Sequence, residues 1–181
     1  FIQQPFFRTA PVPLYLLASE VKDSGNKVFM TGEGADEILL GYDIFREQQA
    51  IDFIKAKPDS LIRYKIFDNL YSYLPQYQNP RYRKLAVETL MRDGDFSMLN
   101  PLKSRLANNL RTFQSFNQSE ILASEITDEL IDNYSKKFKE HKLDNIDIIQ
   151  IFEIDNLLSG YLLNAQGDRV SMANSVEGRY P

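Results

Sequence analysis

Three carboxylates crowd into one turn of this chain. In "VFMTGEGADEILLGYDIFRE", Val28 to Glu47, Glu33, Asp36 and Glu37 follow directly on the short apolar run that ends at Thr31. Gly32 and Gly34 permit a tight turn and let a ligand approach the backbone. A strand that turns through glycines into a helix offers N–H groups and a positive dipole end to phosphate. Carboxylates at that place would repel phosphate unless a cation intervenes. Mg²⁺ takes one or two carboxylates together with substrate phosphates, so Asp36 or Glu37 on Mg²⁺ would turn repulsion into a bridge. Glu33, on the turn itself, could then act as a base. The plainer alternative is that acids in a first helical turn only offset the helix dipole, by ~0.3–1 kcal/mol each.

The elements that would position these groups can be read from pattern. "FIQQPFFRTAPVP" carries three prolines and no period, an irregular approach. Leu14, Leu16, Leu17 and Val21 follow at near-helical spacing, with Gly25 as a C-terminal cap. Residues 27–31 form a short apolar run bounded by turn residues, which predicts a strand buried on both faces of a parallel α/β layer. From Gly34 onward the pattern is helical. Ile38, Leu39, Tyr42, Phe45, Ile51 and Phe53 suit one helix, broken at Pro58. A second helix follows, ended near Pro75. Asn79 and Pro80 are a cap and first helical residue, with Gly94 past the end, and Asn100–Pro101 repeats the start. "SEILASEITDELIDNYSKKFKE" places acids early and lysines late, as the dipole favours. The run from Ile146 to Ser175 is apolar on most sides and predicts a central helix. The fold class is therefore mainly α: one buried parallel strand at about 27–31 and seven or eight helices, in a single domain over residues 1–181. One strand cannot satisfy its own backbone groups, so its partners are expected on a missing piece of chain or on another chain.

Composition narrows the chemistry. The chain has 181 residues, 43% hydrophobic and 25% charged, with a formal net charge of -4 and no basic tract. That argues against a nucleic-acid or anionic-membrane partner. No cysteine is present, which excludes disulfides, thiolate metal sites and a cysteine nucleophile. The one histidine, His141, lies in the polar "KEHKLDN" and reads as a surface residue. No apolar run approaches the ~18 residues of a membrane span. The chain starts at Phe1 and stops at "VEGRYP", and reads as a cytoplasmic fragment of something longer. A cut edge would favour self-association as a homodimer.

"TGEGADEILLGYDIFRE" resembles the signature of the synthetase domain of glutamine-dependent asparagine synthetases, in which Ser or Thr precedes G-E-G-A-D-E and G-Y follows. "FRTAPVPLYLLA", "RYKIFDNLYSYLP" and "LLNAQGDRVSMANSVEGRYP" are similar to further segments of that family, in order from Phe7 to Pro181. The resemblance implies an α/β pyrophosphatase-type nucleotide-binding fold, an adenine nucleotide α-hydrolase-like domain. It implies a ligase of asparagine biosynthesis with ATP and Mg²⁺ as cofactors. Aspartate is activated as β-aspartyl-AMP, and ammonia from glutamine, released by an N-terminal glutaminase domain, attacks it.

Carried onto this chain, the resemblance assigns Thr31, Gly32 and Gly34 to the nucleotide and Glu33 to deprotonation of the nucleophile. It assigns Asp36 to Mg²⁺ and pyrophosphate, and Glu37 stays beside it as a candidate metal ligand from the pattern of the turn. Arg8 matches an arginine that addresses the aspartate carboxylate, and a buried structural ion pair is the alternative. For Asp168 with Arg169, and for Glu177 with Arg179, an internal ion pair shaping the pocket wall stands beside direct substrate contact; Met172 reads as core. The family's S-G-G-x-D-S loop would lie upstream of Phe1 and its pyrophosphate lysine beyond Pro181. The fragment alone is thus expected to be inactive. Two other readings stay open: a β-lactam-synthetase-like or other carboxylate-adenylating relative, and a non-catalytic helical interaction module.

Overall fold

A computed structural model describes residues 9–82, 84–85, 101–102, 105–106, 109–110 and 123–180. The chain divides into two compact units: Phe1–Gly41 with Gln150–Pro181, and Tyr42–Ile149.

The first unit opens with α1 (Pro11–Asp23), where Pro11 stands at the first helical position. Its inward stripe is Pro11, Leu14, Ala18 and Val21, whereas Leu16 and Leu17 face solvent. The expected stripe is thus corrected: Leu16 falls off that face by its spacing, while Leu17, three residues from Leu14 and four from Val21, stays exposed although its spacing fits. Gly25 adopts φ 81°. Its N–H bonds to Lys22 O at 2.9 Å and that of Asn26 to Val21 O at 3.1 Å, the paired bonds of a glycine-terminated helix.

The chain then enters β1 (Val28–Met30), which pairs in parallel with β2 (Glu177–Arg179), Phe29 standing opposite Gly178. Flanking bonds from Glu177 N to Lys27 O (2.8 Å) and from Thr31 N to Arg179 O (3.0 Å) extend the pairing over the whole expected range. Two expectations are corrected here. The strand's partner belongs to this same chain. And the strand is not buried on both faces: Val28 and Met30 are exposed, and Phe29 alone packs inward, against the cluster of Ala18, Val170 and Val176. A two-stranded sheet packed on one side leaves every second side chain open.

After β1 the helix is brief. α2 (Ala35–Ile38) ends where Leu40 takes φ 58° and Gly41 N bonds back to Asp36 O at 2.8 Å. The single long helix expected from Gly34 is therefore two helices, and Ile38 and Leu39 are exposed instead of buried. The unit closes with a helical run. α5 (Asn145–Phe152), whose residues from Gln150 onward belong to this unit, passes into a π-helical segment (Glu153–Asp168) and then α6 (Arg169–Ala173). Leu158, Tyr161, Leu162 and Ala165 form its buried core. Ser175, at φ 57°, turns the chain out of α6 so that Val176 N reaches Ser171 O (3.1 Å) and β2 begins. Met172, expected in the core, is exposed, because α6 buries the opposite side through Val170, Ser171 and Asn174.

The second unit is built around α3 (Asp43–Lys55). Ala50, Ile51 and Ile54 pack against Phe67 and Leu70, which belong to a 3₁₀ stretch (Arg63–Asn69) and its end. Pro80 begins a helical turn capped by Asn79, whose Oδ1 accepts from Arg81 N at 2.9 Å, as the sequence predicts. α4 (Ala123–Lys139) keeps Ile131 buried. Asp144 and Asp147 cap the start of α5 reciprocally, at 2.9 and 3.1 Å. His141 is exposed. Gly94 and Asn100 lie outside the described residues. No helix among the described residues is long and apolar enough to cross a membrane.

Candidate functional site

Because β1 and β2 run in parallel, both deliver their carboxyl ends to one edge of the first unit. That edge is where ligands bind in open α/β sheets. Thr31 to Glu37 leave it from β1, and Tyr180 leaves it from β2.

Glu33 is half-buried and is held by its neighbour: the Thr31 hydroxyl donates to Glu33 Oε2. The backbone of Thr31 is in turn fixed by its bond to Arg179 O. The carboxylate thus stands on a short, doubly anchored segment. Gly32 is exposed, and the space a Cβ would occupy there is open. The backbone is therefore approachable at that point. Gly34 takes φ 96° and lies buried against Leu158, so glycine is required by conformation and not by crowding.

Asp36 and Glu37 are adjacent in sequence and divided in space. Asp36 is exposed, whereas Glu37 is fully buried. The structure does not bring the two to a shared open face. The carbonyls of Glu37 and Ile38 both accept from Gln150 Nε2, at 2.9 Å each, which ties α2 to the start of the late helical run. Gly41, the glycine of the G-Y that follows the acidic turn, has no role assigned from sequence, yet it shapes Asp36. A Cβ on Gly41 would stand 2.1 Å from Asp36 Oδ1 and 3.2 Å from its Cα. Only glycine leaves room for that carboxylate in its present rotamer.

Asp168 is exposed at the end of the π-helical segment and accepts a hydrogen bond from the Tyr180 hydroxyl at 3.2 Å. The Tyr180 phenol is pushed up to about 12 by partial burial first, then by the Asp168 charge, the bond to Asp168, and the nearby Glu33 charge. It stays a neutral donor throughout the working pH range. Tyr180 is the second residue that sequence reasoning missed. It stands in "VEGRYP", which carries family resemblance, but its place in the site depends on a strand whose existence the sequence concealed.

Other expected residues fall elsewhere. Arg8 lies outside the described residues. Arg169 is half-buried next to Asp168. Glu177 and Arg179 form an ion pair at 2.9 Å, but both side chains are about 60% exposed, so this is a surface pair and not the internal one expected. They stand two apart on one open face of β2, where a pair contributes ~0–1 kcal/mol.

A resident metal cage is not what these residues build. Among the described residues no group of three or more His, Cys, Asp or Glu is placed to hold a metal ion. One exposed carboxylate at the strand edge, Asp36, does fit a Mg²⁺ that completes its shell with substrate phosphates and water.

Comparisons with known proteins agree with one another. The family model described as asparagine synthase matches residues 1–181. The asparagine synthetase [glutamine-hydrolyzing] 1 of Bacillus subtilis (strain 168) is 26% identical over 179 residues, covering 98% of this chain and 26% of that protein. Relatives from Mycobacterium bovis and Mycobacterium tuberculosis, which carry the same asparagine synthetase name provisionally, are 26% identical over 186 residues. The chain thus spans about a quarter of the length of the curated relatives it matches. No solved structure matches.

Proposed function

The chain belongs to the asparagine synthase family, and from that premise we propose that it is one segment of an ATP-dependent amide ligase that makes asparagine from aspartate and ammonia. The observation that carries the proposal is Glu33: a carboxylate anchored by Thr31 at the carboxyl end of a parallel strand, beside an exposed glycine backbone.

The proposed reaction has two steps. The aspartate β-carboxylate attacks the α-phosphate of MgATP and releases pyrophosphate. Ammonia then attacks the activated carbonyl, the C–O bond to phosphate breaks, and AMP leaves with asparagine formed. The nitrogen must lose a proton in that step, and Glu33 accepts it. The open backbone at Gly32 receives the nucleotide, and Gly34 keeps the turn. Asp36 would hold Mg²⁺, which would offset the charge of the pyrophosphate. Glu37, buried as it is, supports α2. Thr31, whose hydroxyl is engaged by Glu33, positions the base first and the nucleotide second.

The domain is the later part of a pyrophosphatase-type α/β synthetase fold. Its phosphate loop and a glutaminase domain stand elsewhere in the longer protein, so residues 1–181 alone turn over no substrate. Arg8 addresses an aspartate carboxylate in that assembly, and Arg169, half-buried next to Asp168, shapes the pocket wall. The cytoplasm, where ATP and glutamine are supplied, is its proposed location.

The direct test is product analysis with the full-length protein. With aspartate, ammonium and MgATP, asparagine, AMP and pyrophosphate should appear in equal amounts. AMP and pyrophosphate without asparagine would assign the site to a different acceptor, as in the ring-closing relatives. No aspartate-dependent pyrophosphate release at all would overturn the ligase reading.

A further inference from the structure

One group at the strand edge has no part in the reaction as proposed, yet three features of the fold converge on it. Tyr180 follows β2 directly, and its hydroxyl reaches Asp168 at 3.2 Å. A Cβ on Gly167 would stand 2.2 Å from that hydroxyl and 3.0 Å from the ring carbon that bears it. A Cβ on Gly178 would stand 3.1 Å from the hydroxyl, and as close to Ser171 Oγ. Ser171 Oγ is itself bonded to Gly167 O at 2.9 Å in a buried position. Two glycines, one on the late helical run and one in β2, therefore leave the space the phenol fills. The β2 end that carries Tyr180 is the end that fixes Thr31, and through Thr31 it fixes Glu33.

We propose that Tyr180 is a positioning residue of this site: its hydroxyl, donated to Asp168, holds the Asp168 end of the late helical run against the strand edge on which Glu33 is aimed. The inference rests on the reading of Glu33 as the base. The phenol touches no reacting atom in this scheme. It sets the geometry of the wall beside Glu33, and as a neutral donor it adds no negative charge to an edge that already carries Glu33, Asp36 and Asp168.

The test is Tyr180→Phe in the full-length protein with ammonium as nitrogen source. It compares aspartate-dependent pyrophosphate exchange, which reports activation, with asparagine formation, which reports amine attack. The expected result is exchange within about twofold of the parent, an unchanged KM for aspartate, and kcat for asparagine lowered about tenfold, the scale of a modest misplacement of a catalytic group. Asp168→Ala should reproduce that loss, and the double variant should lose no more than either alone, because both remove one interaction. Asparagine formation unchanged in Tyr180→Phe overturns the proposal. So does a parallel fall in exchange and synthesis together with a lower Tm, which would make the tyrosine structural only. Glu33→Gln is measured alongside. Undiminished asparagine formation there overturns the reading of Glu33, and with it the role given to Tyr180, whereas loss there with no effect of Tyr180→Phe overturns the tyrosine proposal alone.

Discussion

Glu33 and Asp36 are three residues apart and are held in place by different means. Glu33 owes its orientation to Thr31, whose hydroxyl donates to it. Thr31→Val keeps the β-branched shape that suits a strand end and removes that donor. Asparagine formation should fall about tenfold with little change in Tm, as expected for a misaligned base in an intact fold. A thermal melt beside the product assay checks this. Asp36 depends on an absence, since the methyl group of an alanine at 41 would occupy its carboxylate. Gly41→Ala should therefore displace Asp36 and raise the Mg²⁺ concentration needed for half-maximal pyrophosphate release, while exchange at saturating Mg²⁺ partly recovers. An unchanged Mg²⁺ requirement would separate Asp36 from the metal. Gly34→Ala is a different case. Its Cβ would meet Leu158 at an ordinary 3.7 Å, so the cost comes from φ 96° and is about 1–3 kcal/mol of stability. Denaturant unfolding measures it.

At the scale of elements, what the sequence displayed depended on burial. β1 could be read because it is an apolar run between turn residues, and its pairing covers the expected 27–31. β2 could not. Glu177, Gly178 and Arg179 are polar, and the outer two are exposed, so no apolar alternation marks them. The residues of "VEGRYP" were noticed through family resemblance, which gave no hint that they pair with β1. The break between α2 and α3 was likewise invisible, because the apolar spacing from Ile38 to Phe45 continues across it. What ends α2 is the approach of Gly41 to Asp36, a contact that spacing does not encode. One element also carries a pH signature. Glu47 on α3 is raised to about 7 by burial, then by Asp43, with Arg105 opposing. The folded state therefore binds a proton that the unfolded chain has released. Stability should fall as pH rises from about 4.5 to about 7, by at most ~3 kcal/mol, and level off above. Urea unfolding across that range should show the slope, and Glu47→Gln should flatten it.

For the molecule as a whole, the strand edge of the first unit gathers the residues of the proposed site. Glu33, Asp36, Asp168 and Tyr180 all belong to it, and the second unit supplies none of them. The acidic turn was legible because residue type alone made it anomalous. Its partner from β2 was not, because Tyr180 is brought there by a strand pairing of residues almost 150 positions apart in the chain. Membership of the asparagine synthase family is carried by the whole of residues 1–181, while the roles proposed for individual side chains rest on this geometry. The most direct test of the central claim is Glu33→Gln in the full-length protein, assayed for asparagine formation from aspartate, ammonium and MgATP beside aspartate-dependent pyrophosphate exchange. Exchange should stay close to the parent while asparagine formation falls by about 100- to 10,000-fold, the usual contribution of a positioned base. Asparagine formation at the parent rate would contradict that claim.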